Sequence, residues 1–230
     1  MRLDKYICES TTMTRSQAKK VISQGRVTSS GSTIRNSAHK VADNEQISFD
    51  SKLVEVRSTR YIMLNKPKEF ICSTVDELLP SILNLIKVDK AEQLCIAGRL
   101  DADTTGLILL TEDGQWSHKV TSPRKNCNKR YRARLIHPVE QQTITQFHEG
   151  IQLKSENQPC LPAKLEILGD NEVLLTISEG KYHQVKRMFA AIGNHVVDLH
   201  REKIGQIELD TNLALGEWRY LSADEVNSIK

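Results

Sequence analysis

Two aspartates one residue apart, Asp101 and Asp103, lie in the stretch GRLDADTTGLILLTE from Gly98 to Glu112, and chemistry is to be looked for there first. Three chemistries fit the spacing. Counted from Asp101, D-x-D-x-T-G with a glutamate in the twelfth place matches a calcium-binding loop except for threonine in the fifth. D-x-D-x-T also looks like the nucleophile strand of an aspartyl phosphotransferase. In the third reading Asp101 alone is a carboxylate catalyst and the rest is scaffold. Beside these stands a plain turn, in which Asp101 caps backbone groups or pairs with Arg99.

The elements around the aspartates separate the readings. Leu107 to Leu110 is a continuous apolar run between Gly106 and the turn Glu112-Asp113-Gly114, which predicts a strand covered on both faces. A calcium loop of the EF-hand kind needs a helix leaving it from about its tenth position. Aspartyl phosphotransferases place the nucleophile at the end of an apolar strand, whereas here the strand follows the aspartates. Both become minor alternatives. Asp101 and Asp103 would point oppositely in a strand and obliquely in a turn, so one of them faces a pocket. Thr104 and Thr105 are expected to satisfy backbone groups of the loop.

A carboxylate closed into a pocket is pushed toward its neutral form unless a cation lies beside it, so a basic partner is required. Val185, Met188, Phe189 and Ile192 form the apolar stripe of a helix after Gly180, with His183 and Arg187 opposite and Lys186 at the margin, from which a side chain reaches a cleft. Earlier, Tyr61 to Leu64 reads as a buried strand ended by Pro67. Tyr131, Ala133 and Leu135 alternate with Arg130, Arg132 and Arg134, and on periodicity alone Tyr131 is a core residue. From Tyr61 onward the pattern is α+β, and neither G-x-G-x-x-G nor G-K-[ST] announces a nucleotide cofactor.

The first fifty residues read differently. Thr14 and Gln17 make a capping box, Gly25 is a terminator, and Ala18, Val21 and Ile22 form a stripe, which predicts a helix from Arg15 to Gln24. Arg15, Lys19 and Lys20 stand off that stripe, with Arg26 just beyond and no acidic residue between Arg15 and Arg26. Cations at i and i+4 repel slightly, which makes sense where they meet phosphates, although a solvated basic face is the plain alternative. Leu3, Tyr6 and Ile7 suggest a shorter helix ahead. Turns at Ser30-Gly31 and Asp43-Asn44 suggest a small sheet behind. The polar stretch DSKLVEVRSTR lacks periodicity and reads as connecting chain.

Chain-wide features set the setting. No apolar run approaches the roughly 20 residues that span a bilayer, and MRLDKYICES has charges where a signal peptide is apolar, so neither secretion nor a membrane is expected. Five scattered cysteines without C-x-x-C indicate neither a disulfide framework nor a zinc site, and reduced thiols in a cytoplasm fit best. A net charge of +3 is too small to identify a nucleic-acid partner, which leaves the local basic clusters to do so.

RLDKYI, then TRSQAKKVISQGRVTSSG, then VADNEQI resembles, over about the first fifty residues, the small RNA-binding domain named after ribosomal protein S-four. GRLDADTTGLILLTEDG resembles the signature motif of the pseudouridine synthases. NKP at 65–67, KRY at 129–131 and EGKYHQVKRMFAAIG at 179–193 resemble that family's other motifs, in order.

The paired resemblances imply the subfamily that modifies ribosomal RNA. They imply an α+β chain with the RNA-binding domain at 1–56, a linker at 57–60 and a catalytic domain at 61–230 built on a mixed, mainly antiparallel sheet with flanking helices. The activity implied is isomerisation of one uridine in small-subunit (16S) ribosomal RNA, of the position-516 kind. Alternatives are a large-subunit enzyme of the same subfamily and a non-catalytic ribosomal RNA binding or assembly factor. By the same resemblance Asp101 is the catalytic carboxylate, as nucleophile or base, and Tyr131 stacks on the flipped uracil and assists proton transfer. Lys186 is the charge partner, with Arg187 as second choice. The family usually has arginine at the place of Lys186, and the lysine follows the small-subunit subgroup at the loss of a planar fork. Arg15, Lys19, Lys20 and Arg26 would contact RNA, and Arg99 either contacts RNA or braces its loop. His183 is expected to meet phosphate or solvent. No metal and no cofactor is expected. The partner is 16S ribosomal RNA or a small-subunit assembly intermediate, met by a cytoplasmic monomer away from any membrane.

Overall fold

Thr14 opens the element that the sequence delimits most sharply: Gln17 N donates to its hydroxyl at 3.3 Å, and Thr14 N donates to Gln17 Oε1 at 2.8 Å. The computed structural model describes residues 1–56, 58–125 and 127–230. The chain divides into two units, Met1–Ser58 and Thr59–Lys230. In the first, α1 (Leu3–Ser10) and α2 (Arg15–Ser23) pack on an antiparallel sheet formed by β1 (Val27–Ser29), β2 (Ser32–Thr33), β3 (Ile47–Phe49) and β4 (Lys52–Leu53). The strand order is β2-β1-β3-β4.

Leu3, Ile7, Ala18, Ile22, Val27 and Ile47 have no accessible surface and form this unit's core. Ser30 and Gly31 both take positive φ, 45° and 85°, as a two-residue hairpin turn demands. The stretch from Asp50 departs from the expected connecting chain. Asp50 and Ser51 turn at φ 45° and 64°, and β4 pairs with Ser48 and Phe49, because a strand of two residues is too short to display alternation. Of the expected linker 57–60, Arg57 lies outside the described residues.

The second unit runs β5 (Tyr61–Lys66), β6 (Cys95–Ala97), β7 (Thr105–Thr111), α3 (Gly114–Thr121), β8 (Lys129–Leu135), α4 (Gln141–Glu149), β9 (Lys164–Gly169) and β10 (Glu172–Ile177). It continues with α5 (Gln184–Ala191), β11 (Val196–Ile204), β12 (Ile207–Glu208), β13 (Trp218–Tyr220) and α6 (Ala223–Asn227). The sheet order is β13-β5-β7-β11-β8-β10-β9, with β6 on β7 and β12 on β11. Among the described residues, β7 with β11 is the parallel pairing and the rest are antiparallel, so the unit is α+β on a mixed, mainly antiparallel sheet.

The unbroken apolar run of β7 is explained by its neighbours. Ile108 and Leu110 join Ile62, Leu64, Tyr131 and Phe189 in a core on one face, while Leu107 and Leu109 join Met63, Trp116, Val120 and Ile204 on the other. In β8, Tyr131, Ala133 and Leu135 are buried on one face. On the other, Arg132 pairs with Glu202 at 2.6 Å and Glu172 at 2.7 Å, and Arg134 pairs with Asp198. At Gly106, φ is 106°, and a Cβ would stand 2.3 Å from the carbonyl oxygen of Arg201, so glycine alone lets β7 and β11 approach this closely.

Candidate active site

The loop 98–104, between β6 and β7, carries the aspartates to a cavity of about 1000 Å3. Ile71, Leu100, Tyr131, Ile177 and Leu199 form apolar wall, and Asp101, Lys186 and Arg201 are among its polar lining. That size and mixture leave room for a nucleotide base together with its neighbouring groups.

Two buried cations set the loop, and a third lies in the cavity wall. Lys66, the lysine of the NKP motif, has no accessible surface. Its Nζ donates to the carbonyls of Pro67 at 2.9 Å, Asp101 at 3.0 Å, Ala102 at 3.3 Å and Thr104 at 2.9 Å, so the loop is shaped around an ammonium in a cage of oxygens. Burial pulls this lysine's pKa below its ordinary value. Arg201, in β11, is equally buried and grips the loop's start. Its Nε donates to Leu107 O at 2.8 Å, Nη2 to Gly98 O at 3.0 Å, and Nη1 to Arg99 O at 3.3 Å and to the Tyr131 hydroxyl at 3.4 Å. Lys129, of the KRY motif, donates to Val120 O at 3.0 Å in the cavity wall, and burial lowers its pKa as well.

Above these, α5 brings side chains onto the carboxylates. Lys186 Nζ lies 2.9 Å from Asp101 Oδ2 and 2.6 Å from Asp103 Oδ1. Burial works against the charge on Lys186, but the hydrogen bonds to Asp103 and Asp101 outweigh it and leave its pKa raised. Burial likewise opposes ionisation of Asp103, and the bond from Lys186 prevails and lowers its pKa. Asp103 is 69% exposed and Asp101 29%, so Asp101 is the carboxylate that faces the cavity. Arg187 turns elsewhere, to Glu156 at 2.9 Å and to the carbonyls of Tyr182 and Lys154.

Several expectations are corrected. His183 is not left to solvent, because its Nε2 lies 3.2 Å from Asp101 Oδ1. It caps α5 with φ 47°, and that left-handed backbone turns the ring inward, which helical periodicity could not foresee. Neither threonine satisfies the loop by its side chain. Thr104 Oγ1 is buried without a partner among the described residues, and Thr105 Oγ1 bonds across to His200 Nδ1 at 2.8 Å. Arg99 offers the loop no side-chain hydrogen bond among the described residues and is exposed at the cavity rim. The calcium geometry is broken by β7 itself, which carries Glu112 to the far end of a seven-residue strand, where it meets Arg60 at 2.5 Å.

In the first unit, Lys19 and Lys20 project from α2 into solvent. Arg15 and Arg26 do not stand free as the basic cluster suggested. Arg15 lies 3.4 Å from Asp4, and Arg26 forms a bidentate pair with Asp50. Both acids lie outside the Arg15–Arg26 window and come near only through folding.

Known protein families match both parts of the chain. Residues 60–191 match the family profile of RNA pseudouridylate synthase, and residues 1–47 match the S4 domain. The chain is 49% identical to the ribosomal small subunit pseudouridine synthase A of Escherichia coli strain K12, over 100% of both chains. It is 52% identical to the protein of the same name from Pasteurella multocida strain Pm70, over 98% of each. A crystal structure of a pseudouridylate synthase, 48% identical, superposes with a TM-score of 0.73 over 100% of both chains. No helix among the described residues is long and apolar enough to cross a membrane.

Proposed function

The chain belongs to the RNA pseudouridylate synthase family, and on that premise we propose that it converts one uridine of 16S ribosomal RNA, at position 516, to pseudouridine. The observation that carries the proposal is a cavity-lining carboxylate, Asp101, held by Lys186 in a chain that matches small-subunit synthases from end to end. The reaction breaks the bond from uracil N1 to the ribose, turns the base, and joins C5 to the same carbon. A proton leaves C5 and one ends on N1, with no redox change and no group donor. Asp101 serves as nucleophile toward sugar or base, or as the base that removes a ribose proton. Lys186 stands 2.9 Å from it as its charge partner. Tyr131 stacks on the turned uracil, and its hydroxyl oxygen, with Arg201 Nη1 at 3.4 Å to stabilise negative charge there, takes up the proton that leaves C5 as the hydroxyl gives its own to solvent.

Arg15, Lys19, Lys20 and Arg26 form the proposed phosphate contact of the S4 domain, with the two lysines foremost because they carry no carboxylate partner among the described residues. We take the protein to act as a cytoplasmic monomer without a cofactor, on 16S RNA or a small-subunit assembly intermediate. Mapping pseudouridines in ribosomal RNA from cells with and without this gene tests the reading. One site should vanish from 16S RNA. Loss from large-subunit RNA instead would redirect the substrate, and no loss at all would leave an assembly factor.

A further inference from the structure

Tyr182 is the outermost aromatic residue of the cavity, with 73% of its surface exposed, and it does not stand alone. Its ring lies against that of His183, with centroids 3.8 Å apart and planes at 18°. His183 in turn reaches Asp101 at 3.2 Å.

The backbone beneath the pair is held on both sides. Gln184 accepts from Lys181 N at 2.9 Å and donates to Glu179 at 2.9 Å, while Arg187 donates to Tyr182 O at 3.1 Å and ties it to Glu156. Backbone strain in this turn falls on His183, at φ 47°, although Gly180, three residues earlier, does not take a positive φ. A turn that merely joined β10 to α5 would put that conformation at the glycine, where it costs least. Placed at His183, it sets two rings face to face at the mouth of the cavity.

We infer that the outer face of Tyr182 receives the base of a nucleotide flanking the target uridine, so that this base, Tyr182 and His183 form a stack ending on the catalytic carboxylate. The inference rests on the proposed RNA-modifying function and adds a binding subsite to it. Every base presents a π-face, so the subsite takes any base, and its contribution is affinity and register. Arg187 is a positioning residue for the platform, which accounts for its turning away from Asp101.

Tyr182→Ala should raise KM for an RNA fragment roughly 5- to 100-fold, with a far smaller fall in kcat, whereas Tyr182→Phe and Tyr182→Trp should stay near wild type. The fragment is the one surrounding whichever uridine loses its pseudouridine in cells lacking the gene. A wrong assignment to 16S RNA therefore shows in the mapping and leaves this measurement decisive. Fragments with an abasic site at each neighbour of that uridine complete the test. At one neighbour the abasic change should penalise wild type as Tyr182→Ala does and add nothing in the Tyr182→Ala variant. An unchanged KM for Tyr182→Ala, or penalties that add in full at both neighbours, overturns the stack.

Discussion

The imidazole of His183 and the carboxylate of Asp101 meet at 3.2 Å on Oδ1, the oxygen that Lys186 leaves free by taking Oδ2. Lys186 and the N-cap residue of α5, His183, thus each approach one oxygen of the carboxylate. A polar contact of this kind contributes no more than an ordinary hydrogen bond, roughly 0.5–1.5 kcal/mol, so His183→Gln should lower the single-turnover rate about tenfold or less. A loss near a thousandfold would instead make His183 a proton-transfer group.

Asp101→Asn should abolish isomerisation while RNA binding stays within a few-fold, because the side chain keeps its shape and loses its charge. Asp103→Asn should remain active, since Asp103 is 69% exposed and its partner Lys186 retains Asp101. Conversion of uridine measured beside binding for both variants decides between the carboxylates, and the opposite pattern would exchange their roles.

Lys66→Met removes the ammonium from four carbonyls, of which Asp101 O keeps a bond from Thr104 N and Ala102 O one from Glu69 N, while Pro67 O and Thr104 O lose their ammonium donor. Each buried acceptor left unpaired costs about 1–3 kcal/mol, and partial relaxation brings the total to roughly 3 kcal/mol. For a unit of this size that lowers the melting temperature by about 6–12 °C. Thermal unfolding of variant and wild type checks it, and an unchanged midpoint would mean that water replaces the ammonium freely.

Salt dependence of RNA binding separates the cations of α2. Lys19→Gln with Lys20→Gln should flatten the slope of log affinity against log salt by about 1.5, at roughly 0.7–0.9 per phosphate contact. Arg15→Gln alone should change it much less, because Asp4 already lies 3.4 Å away. Equal effects from all three would place Arg15 on phosphate after all.

Asp4 also makes the first unit sensitive to acid. The hydrogen bond from Arg2, helped by Arg15 and opposed by burial, lowers its pKa from 3.8 to about 2. A carboxylate depressed in the folded state stabilises it above the unfolded pKa and loses that contribution as pH falls through the folded one, so the loss runs from about pH 5 to pH 2. Because both arginines are about half exposed, the contribution is on the order of 1–2 kcal/mol. Asp4→Asn should therefore reduce stability at pH 7 and flatten its acid dependence, as denaturant titrations at several pH values would show.

Where the sequence was readable, the determining chemistry is local. The capping box of α2, the apolar run of β7 and the alternation of β8 are each decided within a few neighbouring residues, and each element forms where those residues place it. What was not readable depends on distance along the chain. Lys66 and the carbonyls of the aspartate loop are separated by 35 to 38 residues, and Arg201 and Arg99 by 102. No periodicity links such positions. The inward turn of His183 escaped for a different reason, since a histidine with positive φ is a backbone choice that side-chain spacing does not report.

The parallel seam between β7 and β11, closed around Gly106, also sets a timetable. On the ribosome the aspartate loop emerges 102 residues before Arg201, a delay of roughly 5–20 seconds at ordinary rates of synthesis. During it the loop has Lys66 but neither the Arg201 grip nor, for most of that time, the α5 donors. Catalytic competence therefore arrives only with the last quarter of the chain, long after the RNA-binding unit has left the tunnel. On the proposed function, the unit that would hold RNA is complete in a nascent chain before the site that would change it.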